Sequence, residues 1–151
     1  DLPALPAESY RLVQDKSIYG IMDIGGDDRG AYALGRYVPA IVAENNYRMA
    51  FVANCYRPLT RTPEEALEVM REIEAACGLE FTCIINNSNL GAETTPELFL
   101  DTVDTAKALS KLSGLPLWLH TAQKNVAEAL PALDAPVLPL NLQEKIFYTS
   151  N

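Results

Sequence analysis

Long apolar runs and basic residues are both scarce in this chain. No apolar stretch approaches the roughly 20 residues that a helix needs to cross a bilayer. The 151 residues include 12 Lys and Arg against 20 Asp and Glu, a formal net charge of −8 at pH 7. Nucleic-acid binding needs clustered Lys and Arg to neutralise phosphate, so this balance argues against nucleic acid as a partner. The sequence favours a soluble domain without a membrane span.

Cysteine and histidine are also rare. The three cysteines, Cys55, Cys77 and Cys83, have no Cys-x-x-Cys spacing and cannot all form pairs. Cys77 and Cys83 lie among apolar neighbours, which indicates core residues of a reducing compartment and predicts a cytoplasmic protein. His120 is the only histidine. Neither a zinc cluster nor a Ser-His-Asp triad is indicated, and we expect His120 to be a hydrogen-bonded structural residue.

Short apolar runs alternate with helical patterns along the whole chain. Apolar residues make up 48% and charged residues 21%, the balance of an ordinary globular domain. The runs are apolar on both alternations, which is typical of strands covered on both faces. Strands are predicted at 18–24, 49–54, 81–86 and 115–120, with a weaker one at 137–142. Pro139 confines this last segment to a sheet edge or to coil.

Helices are predicted between these strands, and two of them have strong end signals. Thr62 and Thr95 each precede a Pro-Glu pair, the pattern of a capped first turn, and Gly78 and Gly114 follow the apolar stripes as stop signals. Further helices are predicted at 7–15, at 30–44 with a kink at Pro39, and near 124–131. The alternation predicts one α/β domain over residues 1–151, with three layers and a mostly parallel sheet.

Ligands of open parallel sheets bind outside the carboxyl ends of the strands. The first predicted strand ends at Asp23, which is followed by Gly25 and Gly26. An aspartate that closes a buried strand is costly unless its charge is used, typically through water to Mg²⁺. Two glycines behind it would let the backbone approach a terminal phosphate. These residues are candidates for a metal and phosphate site.

The next two strands end in asparagine. Asn54 closes the second strand and leads to Arg57, and Asn86 and Asn87 close the third. A side-chain amide offers both a donor and an acceptor, which can pair with the edge of a purine. Arg57 either meets a phosphate or a partner subunit, or is an ordinary surface residue. We expect the acidic and amide side chains of the three strands to share one edge of the sheet.

These segments, together with the Thr-Pro helix after Pro58, resemble the second half of the partition-type ATPases. This is the ParA, MinD and CbiA/CobQ-like branch of the P-loop fold, and the similarity extends from Asp1 to about Ala122. The resemblance implies ATP and Mg²⁺ as cofactors. It implies that Asp23 is the Walker B residue that serves Mg²⁺ in catalysis, that Gly25 and Gly26 belong to switch II, and that Asn86 or Asn87 contacts adenine.

The pattern departs from that family in one major respect. No segment reads Gly-x-x-x-x-Gly-Lys-Ser/Thr, the loop whose amides and lysine hold the phosphates. In the family this loop lies upstream, on a central strand, and the chain opens at Asp1 rather than at Met. We expect a fragment of a longer ATPase, with the missing N-terminal P-loop segment as its natural partner. This chain alone should bind nucleotide weakly and hydrolyse nothing, because the absent loop supplies most of the stabilisation.

Two alternatives stay open. One is a CbiA-like biosynthetic ligase domain of the same branch. The other is a non-enzymatic interaction module that has lost nucleotide. Loss of a central strand would leave strand edges uncovered, which predicts a homodimer or a sheet rearranged to close the gap.

Overall fold

A four-stranded, all-parallel sheet organises the molecule. A computed structural model describes residues 7–26 and 28–142. The strands are β1 (Ala50–Ala53), β2 (Cys83–Asn86), β3 (Leu117–Gln123) and β4 (Val137–Leu140), in the sheet order β1-β2-β3-β4. The α/β class and the parallel sheet are confirmed, and the arrangement is consistent with a three-layer fold. β4 is an edge strand that contains Pro139, in agreement with the sequence prediction.

Six α-helices are present among the described residues. They are α1 (Arg11–Gln14), α2 (Asp28–Gly35), α3 (Val38–Glu44), α4 (Pro63–Cys77), α5 (Pro96–Ser113) and α6 (Lys124–Ala127), with short 3₁₀ turns at Ala7–Tyr10 and Gly91–Glu93. The capping signals are confirmed for α4. Thr62 Oγ1 accepts from Glu65 N at 3.2 Å, and Glu65 Oε2 accepts from Thr62 N at 3.1 Å. Gly78 ends this helix with φ 77°, a left-handed conformation that favours glycine.

The prediction of one continuous helix over 30–44 is wrong. Two helices occupy this region, and α3 begins after Tyr37, with Pro39 in its first turn. A proline lacks the backbone N–H, and the first turn of a helix is where that donor has no partner within the helix. Pro39 therefore belongs to a helix start rather than to a kink.

The predicted strand at 18–24 does not form. This segment is coil, and it is not hydrogen-bonded to any of the four described strands. Tyr19 is 88% exposed and Ile21 80%, while Met22 and Ile24 pack beside the apolar cluster under α2. A strand requires a neighbour to pair its backbone groups, and the apolar run alone does not supply one.

The main core lies between the sheet and the helices α4 and α5. Phe51 and Ile84 from the sheet pack against Met70 of α4 and Leu109 of α5. Met70 and Ile84 are fully buried, and each such side chain contributes about 1.5–3 kcal/mol relative to an exposed one. This cluster fixes β1 and β2 side by side, so their carboxyl ends lie next to each other.

β1 is the outer strand on one side of the sheet. Within the described residues it pairs with β2 only, which leaves its other edge without a backbone partner. Val52 alternates with the buried Phe51 and Ala53 and is 56% exposed on the opposite face, and Leu138 of β4 is 49% exposed. Part of the apolar surface of the sheet is therefore open to solvent.

The register between β2 and β3 contains one irregularity. Ile84 faces Leu117, whereas Ile85 faces Leu119, so β3 has an extra residue, Trp118. The guanidinium of Arg48 lies 4.2 Å from the centre of the Trp118 ring, a cation–π contact. Beyond this point the strands continue in register, with Asn86 opposite His120.

In the ranges 7–26 and 28–142, no helix has the length and apolar character needed to cross a membrane.

Candidate functional site

Asn54 follows β1 directly and joins two loops. Its Oδ1 accepts from Tyr56 N at 3.0 Å and from Asn89 N at 3.3 Å, and its Nδ2 donates to the Asn89 carbonyl at 3.3 Å. Asn89 lies in the loop after β2. Asn54 therefore holds the loops after β1 and β2 against each other. Both ends of its amide are already engaged.

Asn86, the last residue of β2, is 0% exposed. Its Nδ2 donates to Thr102 Oγ1 at 3.1 Å and lies 3.0 Å from His120 Nδ1, while its Oδ1 accepts from Ser88 N at 3.2 Å. A buried amide with this many partners is a structural residue, since moving it would leave several polar groups unpaired.

Asn87 has a different environment. It is half-buried, its backbone N–H donates to the Ala53 carbonyl at 2.8 Å, and its Oδ1 accepts from Thr121 Oγ1. Its Nδ2 has no hydrogen-bond partner among the described residues. Asn87 can therefore donate to a ligand without breaking a contact. We call Asn54, Asn87 and Asn89 the amide rim, because they line the carboxyl ends of β1 and β2.

The loop that begins at Asn54 is tied down along its length. Thr60 Oγ1 donates to the Asn54 carbonyl at 2.6 Å, and the Tyr56 hydroxyl donates to the Leu98 carbonyl in α5 at 2.6 Å. Burial raises the pKa of Tyr56, and the nearby Cys55 raises it further, so the hydroxyl stays a donor at neutral pH. The Arg57 side chain is exposed and has no ion pair or hydrogen bond with a described residue.

Asp23 is not at the end of a sheet strand, which corrects the sequence prediction. It is exposed in the coil before α2, with no ion pair or hydrogen bond to a described residue. No hydrogen bond links it to Asn54, Asn86 or Asn87. The shared edge expected for three strands is thus confirmed for the asparagines of two. The expected role of Asp23 at that edge depended on a strand that is absent from the described sheet.

Gly25 and Gly26 lie in the same coil, next to the start of α2. A Cβ atom added to Gly30 would lie 2.4 Å from the Gly25 carbonyl oxygen, a distance that no side chain tolerates. A Cβ atom on Gly26 would meet nothing within 4 Å. Close packing in this region therefore requires glycine at position 30, a residue to which the sequence analysis gave no role.

A small cavity lies between the carboxyl ends of β1 and β2 and the helices α4 and α5. It has a volume of about 10 Å³, and its polar lining includes Asn86, Ser88, Thr60 and Thr102. This is about the space of one water molecule, so the cavity is far too small for a nucleotide.

His120 and Thr121 of β3 complete the site, and the sequence analysis gave neither of them a place in it. His120 is fully buried and contacts Asn86, and its ring centre lies 5.6 Å from that of Phe99 in an edge-on arrangement. Thr121 holds the Asn87 amide. The sequence feature that could have indicated His120 and Thr121 is that β3, like the two strands before it, ends in polar residues.

Comparison of the chain with protein-family models, with curated proteins and with solved structures gave no match. Over residues 7–26 and 28–142, no group of three or more His, Cys, Asp or Glu side chains is arranged to hold a metal ion.

Proposed function

We propose that this chain is the carboxy-terminal part of an ATP-binding P-loop ATPase of the ParA/MinD type, and that its amide rim contacts the adenine base. The single observation that carries the proposal is the Nδ2 group of Asn87, which has no hydrogen-bond partner among the described residues and lies at the carboxyl end of a parallel sheet. Ligands of such sheets bind at this end, and a purine edge carries ring-nitrogen acceptors for an N–H donor.

The choice between Asn86 and Asn87 follows from burial and hydrogen bonding. Asn86 is fully buried, its Nδ2 group has two partners and its Oδ1 accepts from Ser88 N. A base could reach it only if Thr102 or Ser88 moved away. Asn87 offers a donor at no such cost. Asn86 is therefore the support of the site, and Asn87 is the residue that meets the ligand.

Two charged residues suit the phosphate end of a nucleotide. The Arg57 guanidinium is exposed on the loop that Asn54 anchors, and it is free of acidic partners among the described residues. The Asp23 carboxylate is likewise exposed and unpaired. Mg²⁺ keeps several waters and takes one or two carboxylates, so a single exposed aspartate is enough on the protein side when phosphate supplies the other ligands.

The free edge of β1 is a second observation that supports the proposal. This edge lies beside the amide rim, and its backbone groups have no partner among the described residues. A further strand that carries the phosphate-binding loop could pair here, which would place the loop next to Asn54 and Asn87. It would also offer the 18–24 segment a neighbour with which to form the strand that its sequence favours.

The test is calorimetric titration of Mg-ATP into the full-length parent protein and into this chain. We expect the parent to bind and this chain to bind much more weakly. In the parent, Asn87→Ala should weaken ATP binding about tenfold, the value of one net hydrogen bond. Asn46→Ala is the matched control, since Asn46 is exposed in the loop before β1, and it should leave affinity unchanged.

Two outcomes would refute the proposal. One is an upstream coding sequence without a Gly-rich loop ending in Lys-Ser or Lys-Thr. The other is a parent protein that fails to bind ATP. If the parent binds ATP and Asn87→Ala has no effect, the protein class stands and the base contact is wrong.

A non-enzymatic interaction module is the second candidate. The free edge of β1 favours it, because the strand Ala50–Ala53 has no charge, proline or bulge to discourage pairing with another chain. This function predicts self-association without any effect of nucleotide. Light scattering with and without Mg-ATP separates it from the ATPase.

A further inference from the structure

The protonation state of His120 follows from the hydrogen bonds around Asn86. The Asn86 Nδ2 group donates to Thr102 Oγ1, whose own hydroxyl donates to the Phe99 carbonyl at 2.7 Å. The Asn86 Oδ1 accepts from Ser88 N. These contacts fix which end of the amide faces the ring. Because that end is the Nδ2 donor, His120 Nδ1 must accept, and the ring proton is on Nε2.

The side-chain amide of Asn86 is also the start of a chain of hydrogen bonds that reaches the amide rim. The backbone N–H of Ser88 donates to Asn86 Oδ1. The Oγ atom of Ser88 in turn accepts a hydrogen bond from the backbone N–H of Cys55 at 3.0 Å. Cys55 follows Asn54, which exchanges hydrogen bonds with Asn89. A chain of hydrogen bonds thus runs from His120 through Asn86 and Ser88 to the loops after β1 and β2.

We propose that neutral His120 is a positioning residue, which sets the Asn86 amide and through it the spacing of the two loops, and that protonation of His120 loosens the amide rim. A proton on Nδ1 would face the Asn86 Nδ2 donor, so two donors would meet in a buried site. The two donors would repel each other and push Asn86 away from the ring, and movement of Asn86 would break its hydrogen bond to Ser88 N. The consequence for ligand binding rests on the proposed function, whereas the loosening of the loops does not.

The surroundings of the ring oppose protonation. Burial lowers the pKa of His120 below its ordinary value of 6.5, and the positive charge of Lys107 on α5 lowers it further. Lys107 also binds Asp134, with Nζ and Oδ2 2.6 Å apart. The neighbouring strands place Asn86 and Val137 beside His120, and neither titrates. His120 Nε2, which holds the proton of the neutral ring, has no hydrogen-bond partner among the described residues, so the second proton would have to go to Nδ1, where the Asn86 donor lies.

The sign of the pH effect follows from the lowered pKa. Well above pH 6.5 the histidine is neutral in both the folded and the unfolded chain, and it contributes no pH dependence. As the pH falls through 6.5, the unfolded chain takes up a proton that the folded chain refuses, so stability is lost. The loss continues down to the folded-state pKa, with up to about a tenfold fall in the folding equilibrium constant per pH unit.

The experiment compares the full chain with His120→Gln between pH 7.5 and 5.5, by amide NMR and urea unfolding. Glutamine offers a carbonyl acceptor to Asn86 Nδ2 but does not titrate. In the wild type, the Cys55 and Ser88 amide resonances should move together with the His120 ring signals, at a midpoint below 6.5. In His120→Gln they should stay fixed, and the pH dependence of unfolding in this range should be strongly reduced.

Three outcomes would overturn the proposal. The first is titration of the His120 ring without movement of the Cys55 and Ser88 amides. The second is an equal pH dependence in His120→Gln. The third is a fall in stability with rising pH in this range. In the full-length parent, the affinity for Mg-ATP should decrease as the pH is lowered in the wild type, but not in His120→Gln. A parent that binds no nucleotide would refute the proposed function and leave the amide shifts to decide the role of His120.

Discussion

Replacing Asn86 by alanine should be among the most damaging single changes to this fold. The substitution removes the hydrogen bonds that Asn86 makes to Thr102, His120 and Ser88. Ser88 N–H and His120 Nδ1 would stay buried without a partner, and each such group costs about 1–3 kcal/mol. We expect a loss of about 2–5 kcal/mol, a large share of the roughly 5–15 kcal/mol that stabilises a typical domain.

Urea unfolding at pH 7.5, followed by far-ultraviolet circular dichroism, measures this loss. Asn87→Ala is the matched control. It removes the same amide one residue later, where the side chain is half-buried and a single group, the Thr121 hydroxyl, loses its partner, so it should cost about 1 kcal/mol. Equal stability of the two variants, or an Asn86→Ala variant within about 0.5 kcal/mol of the wild type, would contradict this expectation.

Two further predictions concern backbone packing and the sheet edge. Gly30→Ala should lower the melting temperature markedly, since its Cβ would lie 2.4 Å from the Gly25 carbonyl oxygen, whereas Gly35→Ala, with 3.7 Å to its nearest neighbour, should be tolerated. A thermal melt showing equal effects would contradict the clash. Val52→Lys should reduce self-association of this chain, because it places a charge on the exposed side chain of an unpaired edge strand. Light scattering at several concentrations tests this, and unchanged association would exclude β1 as the contact.

Local signals allowed most of the helices to be predicted from the sequence. The ends of α4 and α5 follow from Thr62, Thr95, Gly78 and Gly114, since a cap needs only residues that are close along the chain. Local signals could not show whether the segment 18–24 forms a strand. Its apolar run is as good as those of β1 and β2, but a strand also needs a partner that is distant in sequence, and the described residues offer none.

The candidate site could also be predicted from the sequence only in part. The carboxyl ends of parallel strands meet at one edge, and this rule places Asn54 beside Asn87 correctly. The rule cannot say which amide is used internally and which is free. That distinction depends on Thr102 and His120, which lie 16 and 34 residues from Asn86 in sequence and approach it only in the folded chain.

Trp118 has an effect on the site that it does not touch. If β2 and β3 continued without the irregularity, the pairing of Ile84 with Leu117 would set Leu119, rather than His120, opposite Asn86. An amide would then be buried beside a hydrocarbon side chain, with no acceptor in reach. The extra residue in β3 therefore sets the register that brings His120, rather than Leu119, to the buried Asn86 amide.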